Sequence, residues 1–505
     1  MARFNRNDPQ LVGTLLPTRI EADLFDLEVD GEIPKSINGT FYRNTPEPQV
    51  TPQKFHTFID GDGMASAFHF EDGHVDFISR WVKTARFTAE RLARKSLFGM
   101  YRNPYTDDTS VKGLDRTVAN TSIISHHGKV LAVKEDGLPY ELDPRTLETR
   151  GHFDYDGQVT SQTHTAHPKY DPETGDLLFF GSAAKGEATP DMAYYIVDKH
   201  GKVTHETWFE QPYGAFMHDF AITRNWSIFP IMPATNSLSR LKAKQPIYMW
   251  EPELGSYIGV LAPRQGSLIR WLKAPALWVF HVVNAWEVGT KIYIDLMESE
   301  ILPFPFPNSQ NQPFAPEKAV PRLTRWEIDL DSSSDEIKRT RLHDFFAEMP
   351  IMDSSFALQC NRYGFMGVDD PRKPLAHQQA EKIFAYNSLG IWDNHRGDYD
   401  LWYSGEASAA QEPAFVPRSP TAAEGDGYLL TVVGRLDENR SDLVILDTQD
   451  IQSGPVATIK LPFRLRAALH GCWVPDLNET PTFQPFRAPV RGRCPRTNFQ
   501  SRSRR

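Results

Sequence analysis

Along most of the chain, apolar and polar residues alternate in short runs, and each run stops at an acidic or glycine turn. The pattern recurs in FHFEDGHVDFISRWV, LPYELDPRTLETRG, YYIVDKHGKVTHETWF, LTRWEIDLDSSSDEIKRTRL and LVILDTQDIQSGPVATIKLPF. A period of two puts alternate side chains on opposite faces of a strand. Asp-Gly, Asp-Pro or Gly-Lys between two such runs marks a hairpin. Single strands are expected between the hairpins, at DLLFFGSAA, SIFPIMP, KIYIDLM and GYLLTVVG. Short hairpins repeated over hundreds of residues predict an all-β protein with radially arranged sheets, a β-propeller rather than a sandwich. The repeats are too degenerate to count blades.

Three regions depart from this pattern. TARFTAERLARKSLFG (Thr84 to Gly99) reads as a helix, with Phe87, Leu92 and Leu97 on one side and charges between them. LIRWLKAPALWVFHVV (Leu268 to Val283) reads as a core strand entering the interior. The proline-rich piece from Pro303 to Pro321 must be a loop, and loops on a rigid scaffold are where binding residues concentrate. The end of the chain is different again. Residues 477–505 are rich in Pro and Arg, lack periodicity and are expected to be a disordered basic tail. The expected organisation is one propeller domain over 1–476, followed by that tail.

The 505 residues are 40% apolar and 24% charged, the balance of a water-soluble globular protein. A formal charge of −10 argues against nucleic acid as the main partner, because a phosphate binder needs a basic face. Cys360, Cys472 and Cys494 are too few and too scattered for a disulfide framework and fit a reducing compartment. The opening MARFNRNDPQ has no apolar run behind its basic residues. No window approaches the roughly 20 apolar residues that cross a bilayer. The expectation is a cytoplasmic protein without stable membrane insertion.

Sixteen histidines raise the question of a metal, but none falls in a zinc-finger or HExxH spacing. Four of them sit in apolar, strand-like surroundings: His167 (HTAHPKYD), His218 (FMHDF), His281 (WVFHVVNAWE) and His470 (ALHGCW). A buried imidazole needs a partner. One candidate is a backbone carbonyl, as in an ordinary core histidine; the other is a metal ion, since neutral imidazole is the commonest protein ligand. Spacing alone does not choose between them. His74, His200 and His395 lie in polar turns and read as solvated.

Those contexts carry a resemblance. NGTFYRN, FIDGDGM (Phe58 to Met64), KED (Lys134 to Asp136), AHPK, MHDF, HVVNAWE, QEPAFVPR (Gln411 to Arg418), EGDGYLL and LHGCW together make the sequence similar to the carotenoid cleavage oxygenase family. The match runs from about Pro17 to Trp473 and points to the branch that cleaves phenylpropenoids and stilbenes.

The resemblance implies a seven-bladed propeller with a helical and loop dome over one Fe(II) on its axis. By motif, its ligands would be His167, His218, His281 and His470. Residues far apart in sequence can meet at a propeller axis, so a ligand per blade needs no short spacing motif. The resemblance also implies three glutamates that accept the ligands' other N–H groups: Glu135, Glu348 (FFAEMP) and Glu412. Such partners fix the imidazole tautomer and raise its basicity; the plain alternative for each is a surface ion pair. On the substrate side it implies Tyr101 and Lys134 at a 4-hydroxyl, with Thr121 close to the iron. A cation there favours phenolate, since opposite charge lowers a pKa. For Lys134 the alternative is a salt bridge to Glu135 or Asp136. Phe304 and Phe306 are candidates to wall the substrate ring or simply to pack in the core.

The implied reaction is oxidative cleavage, by O2, of the double bond beside the ring of a small phenolic alkene, giving two carbonyl fragments. Stilbene or apocarotenoid cleavage is the alternative within the family. Outside it stand a Ca2+-dependent propeller lactonase and a non-catalytic interaction propeller. Two stretches depart from the family pattern and could reshape the pocket: Ser354 and Ser355, and GVLAPRQGSLIRW.

Overall fold

A computed structural model describes residues 4–5, 7–53, 56–262, 267–375 and 385–476. Seven large antiparallel sheets follow one another along the sequence, and they are the blades of a propeller. Blade 2 is Ser122–His126, Lys129–Val133, Tyr140–Leu142 and Thr149–His152. Blade 3 is Lys169–Tyr170, Leu177–Ser182, Asp191–Val197 and Val203–Glu210. Blade 4 takes Ala221–Ile222, Ser227–Ile231, Ser256–Ala262 and Ser267–Ala274. Blade 5 takes Trp278–Val288, Lys291–Ser299, Arg322–Asp329 and Lys338–Arg341. Blade 6 consists of Phe346–Ile351, Tyr363–Asp369, Ser388–Asp393 and Asp398–Tyr403.

Blades 1 and 7 close the ring with strands from both ends of the sequence. In blade 1, Gly471–Pro475 pairs with Gly39–Glu47, which continues to Asp62–Glu71, His74–Trp81 and Ala22–Leu24. In blade 7, Ser408–Ala410 and Ala414–Pro417 both pair with Gly427–Arg435. Arg440–Asp447, Pro455–Lys460 and the N-terminal strand Val29–Gly31 complete it.

All five hairpins and all four single strands expected from the alternation are present. Asp72 and Gly73 join two blade 1 strands with φ of 51° and 88°, the left-handed pair that a two-residue hairpin turn requires. Blades pack face against face, so many strands are apolar on both sides. Asp191–Val197 is buried throughout. One core cluster joins Ile124, Leu131 and Val133 of blade 2 to Leu177, Phe179 and Tyr195 of blade 3.

Two expectations are corrected. Leu268 to Val283 is two strands, not one. Ser267–Ala274 is the last strand of blade 4 and Trp278–Val288 the first of blade 5, separated at Pro275. Proline lacks the N–H that a ladder needs, and the backbone passes from one sheet to the next there. The helix is shorter than predicted, Ala85–Ala93. Thr84 caps it by accepting from the Phe87 N–H, and Arg94 ends it at φ 54°. Phe87 is buried but Leu92 is 82% exposed. Five residues turn a helix by about 500°, which places Leu92 far from the Phe87 face.

Cys472 is a free thiol. Among the described residues, no helix is long and apolar enough to cross a membrane. The tail at 477–505 and residues 263–266 of the altered turn lie outside the described residues.

Gly471 opens the strand that closes the ring, and a Cβ there would collide with the Tyr42 carbonyl oxygen. Gly471→Ala is expected to destabilise the fold by about 1–3 kcal/mol, the range for overpacking. It should also displace the neighbouring His470. Thermal denaturation and the metal content of the purified variant check this together; unchanged values for both would contradict the assigned closure.

Candidate metal centre

Each blade contributes one residue to the axis, from a strand or the segment beside it. His470 immediately precedes Gly471–Pro475 of blade 1. His167 precedes Lys169–Tyr170 of blade 3, and His218 precedes Ala221–Ile222 of blade 4. His281 lies within Trp278–Val288 of blade 5, and Glu348 within Phe346–Ile351 of blade 6. Glu135 follows Lys129–Val133 of blade 2, and Glu412 lies between the two short first strands of blade 7.

One ring nitrogen from each of the four histidines lies within 4.8 Å of the others. The Nε2 of His218 is 2.9 Å from that of His167 and 3.1 Å from that of His281. The Nε2 atoms of His281 and His470 are 3.2 Å apart. Metal–imidazole bonds of about 2.0–2.1 Å put adjacent ligand nitrogens about 3 Å apart at right angles.

The other ring nitrogens explain why these close approaches are not hydrogen bonds. The Nδ1–H of His218 donates to Glu135. That of His281 donates to Glu348 at 2.5 Å, and that of His470 to Glu412 at 2.6 Å. A neutral imidazole with its proton on Nδ1 has only a lone pair on Nε2. Three such lone pairs therefore converge with no proton between them, an arrangement that calls for a cation. The donor set is all imidazole, which suits iron, zinc, copper or nickel and fits poorly with Ca2+, a metal that takes oxygen ligands.

The carboxylates are themselves held. Glu412 also accepts from the Gly471 N–H at 2.9 Å, and Glu348 from the Met349 N–H at 2.6 Å. Burial alone would push Glu135 up. A positive centre at His218, the His218 hydrogen bond and then Lys134 outweigh burial and hold the carboxyl at about 2. Burial pushes Glu348 well above the usual carboxylate range against the Met349 N–H, so a cation at the His281 Nε2 is what favours its ionised form. All three expected glutamates thus face histidines rather than the surface.

Sequence reasoning did not single out Asp219, which ties three of the histidine-bearing segments together. It accepts from Lys169 of blade 3 at 2.7 Å and from the Val282 N–H of blade 5 at 2.8 Å. The available signal was an acid next to His218 inside an apolar run. The two histidines of HTAH, His164 and His167, have different roles. His167 is in the cluster, whereas His164 is a core histidine bonded to the Thr165 carbonyl and the Tyr155 hydroxyl.

A small cavity adjoins His218 and His470. Ile59, Phe216, Phe280, Phe304 and Leu469 make its apolar wall; Tyr101, Thr121, Lys134 and Glu135 add polar groups. Three of the apolar residues lie within two positions of a clustered histidine, a proximity that becomes meaningful only once the axis is known. Phe306 is not in the wall; it packs behind, with its ring 5.9 Å from that of Phe304 and 5.6 Å from that of Tyr248. Ser354 and Ser355 sit in an exposed turn and do not line the cavity.

Lys134 is buried, and its Nζ donates to the Ile59 carbonyl at 3.0 Å and the Asn120 Oδ1 at 2.9 Å. The alternative of a salt bridge to Asp136 or Glu135 does not hold among the described residues. The Asp136 carboxylate accepts from Thr117 and the Glu135 carboxylate from His218. The ammonium lies 5.5 Å from the centre of the Tyr101 ring. Burial, then the Glu135 charge, pushes the Tyr101 phenol well above its ordinary value, so it stays a neutral donor.

Residues 15–475 match the family model described as RPE65, retinal pigment epithelial membrane protein. The sequence is 98% identical over 476 residues to an isoeugenol monooxygenase of Pseudomonas nitroreducens, covering 94% of this protein and all of that one. It is 81% identical to an isoeugenol monooxygenase of Pseudomonas putida over 94% of this protein and 99% of the relative. Among solved structures, a lignostilbene dioxygenase of Pseudomonas brassicacearum superposes with a TM-score of 0.91 at 41% identity, covering 94% of this protein and all of that one.

Replacing Glu348 by Gln keeps the shape and removes the ionised acceptor. A 10–100-fold loss of metal affinity is expected, of the order of ~1–3 kcal/mol, measured by competition with a chelator. The pH dependence of metal retention has a definite sign. Burial and the neighbouring imidazoles hold the His167 and His281 rings well below 6.5. Protons therefore compete with the metal only at lower pH, and half-release of iron is expected below pH 6.5. A release midpoint at or above that value would contradict the depressed basicity.

Proposed function

The protein belongs to the RPE65 and carotenoid oxygenase family, and from that premise we propose that it cleaves the propenyl double bond of isoeugenol with O2, giving vanillin and acetaldehyde. The single observation that carries this reading is a four-imidazole axial cluster opening onto an apolar cavity that holds Lys134 and Tyr101. The enzyme is an iron-dependent oxygenase. Bound by His167, His218, His281 and His470 in the Fe(II) state, the iron supplies the O2 chemistry.

The protein supplies tautomers, orientation and the phenol site. Glu135, Glu348 and Glu412 keep three imidazole lone pairs directed at the axis. Phe280 stands 4.3 Å from the His218 ring and 4.7 Å from the His281 ring, and forms an apolar face for the substrate beside the metal. Lys134 meets the 4-hydroxyl with its remaining N–H and favours the phenolate. Tyr101 donates its hydroxyl proton to the same oxygen. Electron density then moves from that oxygen through the ring into the propenyl double bond, which makes the alkene reactive toward oxygen. Thr121, bonded through its carbonyl to the His470 N–H at 3.0 Å, narrows the metal side of the cavity.

The apolar wall of Phe216, Phe280, Phe304 and Leu469 beside Lys134 and Tyr101 suits an aromatic ring that carries one polar group. A second reading is cleavage of hydroxystilbenes. It is favoured by the likeness to the lignostilbene dioxygenase structure and by 42% identity to a lignostilbene-α,β-dioxygenase of Sphingomonas paucimobilis.

Aerobic incubation of iron-loaded and iron-stripped protein with isoeugenol, a hydroxystilbene and an apocarotenal separates these readings. Vanillin is expected from isoeugenol with iron-loaded protein only. Lys134→Met should lower kcat/KM for isoeugenol by about 10- to 100-fold, the worth of a hydrogen bond to a charged group. Turnover of the 4-O-methyl ether, already poor, should barely change. Equal losses on both substrates would remove Lys134 from the hydroxyl site.

A further inference from the structure

Asn120 is fully buried and uses both ends of its amide. Its Nδ2 donates to the Ile59 carbonyl at 2.8 Å and the Gly61 carbonyl at 2.6 Å. Two carbonyls on one side fix the orientation of the amide, so Oδ1 must face the other way. There it accepts from the Lys134 Nζ at 2.9 Å and from the Thr121 Oγ1 at 3.1 Å. The Ile59 carbonyl takes a second N–H of Lys134. Lys134 has three N–H donors; two are thus bound to neutral acceptors and one remains for the cavity. A carboxylate at position 120 would hold the ammonium more tightly and cancel its charge. A neutral amide holds it in place without forming an ion pair with it.

We infer that Asn120 is a positioning residue for substrate discrimination: it aims the Lys134 ammonium at the phenolic oxygen. The inference rests on the proposed phenol site and deepens it. Asn120 touches no substrate atom; it acts through Lys134. It also takes the Thr121 hydroxyl proton, so Thr121 turns its methyl group and oxygen lone pairs, not a donor, toward other neighbours.

The test uses a ligand that cannot be cleaved. 2-Methoxy-4-propylphenol has the ring and hydroxyl of isoeugenol and a saturated propyl group; its O-methyl ether, 1,2-dimethoxy-4-propylbenzene, lacks the acidic proton. Calorimetry gives the dissociation constant of each for full-length, iron-loaded protein. The wild type should prefer the free phenol by about tenfold or more, the contribution of one charge-assisted hydrogen bond. In Asn120→Ala that preference should fall to within about threefold, with iron content unchanged. In the Lys134→Met background, Asn120→Ala should cause no further loss of preference. If Asn120→Ala does not fold, Asn120→Ser serves, since its hydroxyl is too short to reach Lys134.

A purely structural role would lower the melting temperature and weaken both ligands alike, leaving their ratio at the wild-type value, and that result would overturn the inference. A wild type with no preference would instead overturn the phenol site itself. An unchanged ratio in the variant beside a clear wild-type preference would reject Asn120 alone.

Discussion

Imidazole lone pairs converge on one point with no proton to share, and the rest of the structure is organised around that constraint. Three of the rings have their protons fixed on the far nitrogen by carboxylates, so the near nitrogens repel unless a cation lies between them. Removing one of those carboxylates would free the ring to turn or to change tautomer. The propeller answers the geometric side of the problem. Seven blades each bring one residue to the axis; four present histidine and three present glutamate. Ring closure is part of the same arrangement, because His470 abuts the strand that completes blade 1.

The charge pattern follows from burial. Carboxylates this deep are stable only beside a positive centre or a donor, and each of the three has an imidazole N–H. Asp219 adds a second layer by joining the histidine-bearing segments of blades 3, 4 and 5 through Lys169 and Val282. The substrate side inverts this logic. Lys134 is a buried cation whose hydrogen bonds go to neutral oxygens, those of Ile59 and Asn120, rather than to a carboxylate. The same cavity is lined by the ammonium of Lys134 and by two histidines of the cluster, His218 and His470, with apolar residues between.

Much of this was legible in the sequence. Alternation and turn residues determined the hairpins, since strand periodicity and left-handed Asp-Gly turns are local properties. The family motifs pointed to the histidines and glutamates, and the structure brings these seven residues to one axis. Local rules failed where the deciding contact was distant. Pro275 divides an apolar run between two blades, and only sheet pairing shows on which side each half falls. Leu92 belonged to the helix by pattern but not to its buried face.

Sequence by itself determined the strands, the turns and the identity of the polar groups. Tertiary structure alone decided which histidine of HTAH joins the cluster, that Phe306 stands behind Phe304, and that Lys134 bonds to Asn120 and Ile59 rather than to a neighbouring acid. The reason is physical. Strand formation depends on neighbours a few residues away. The protonation, orientation and reach of a buried group depend on partners that folding brings together from tens or hundreds of residues apart.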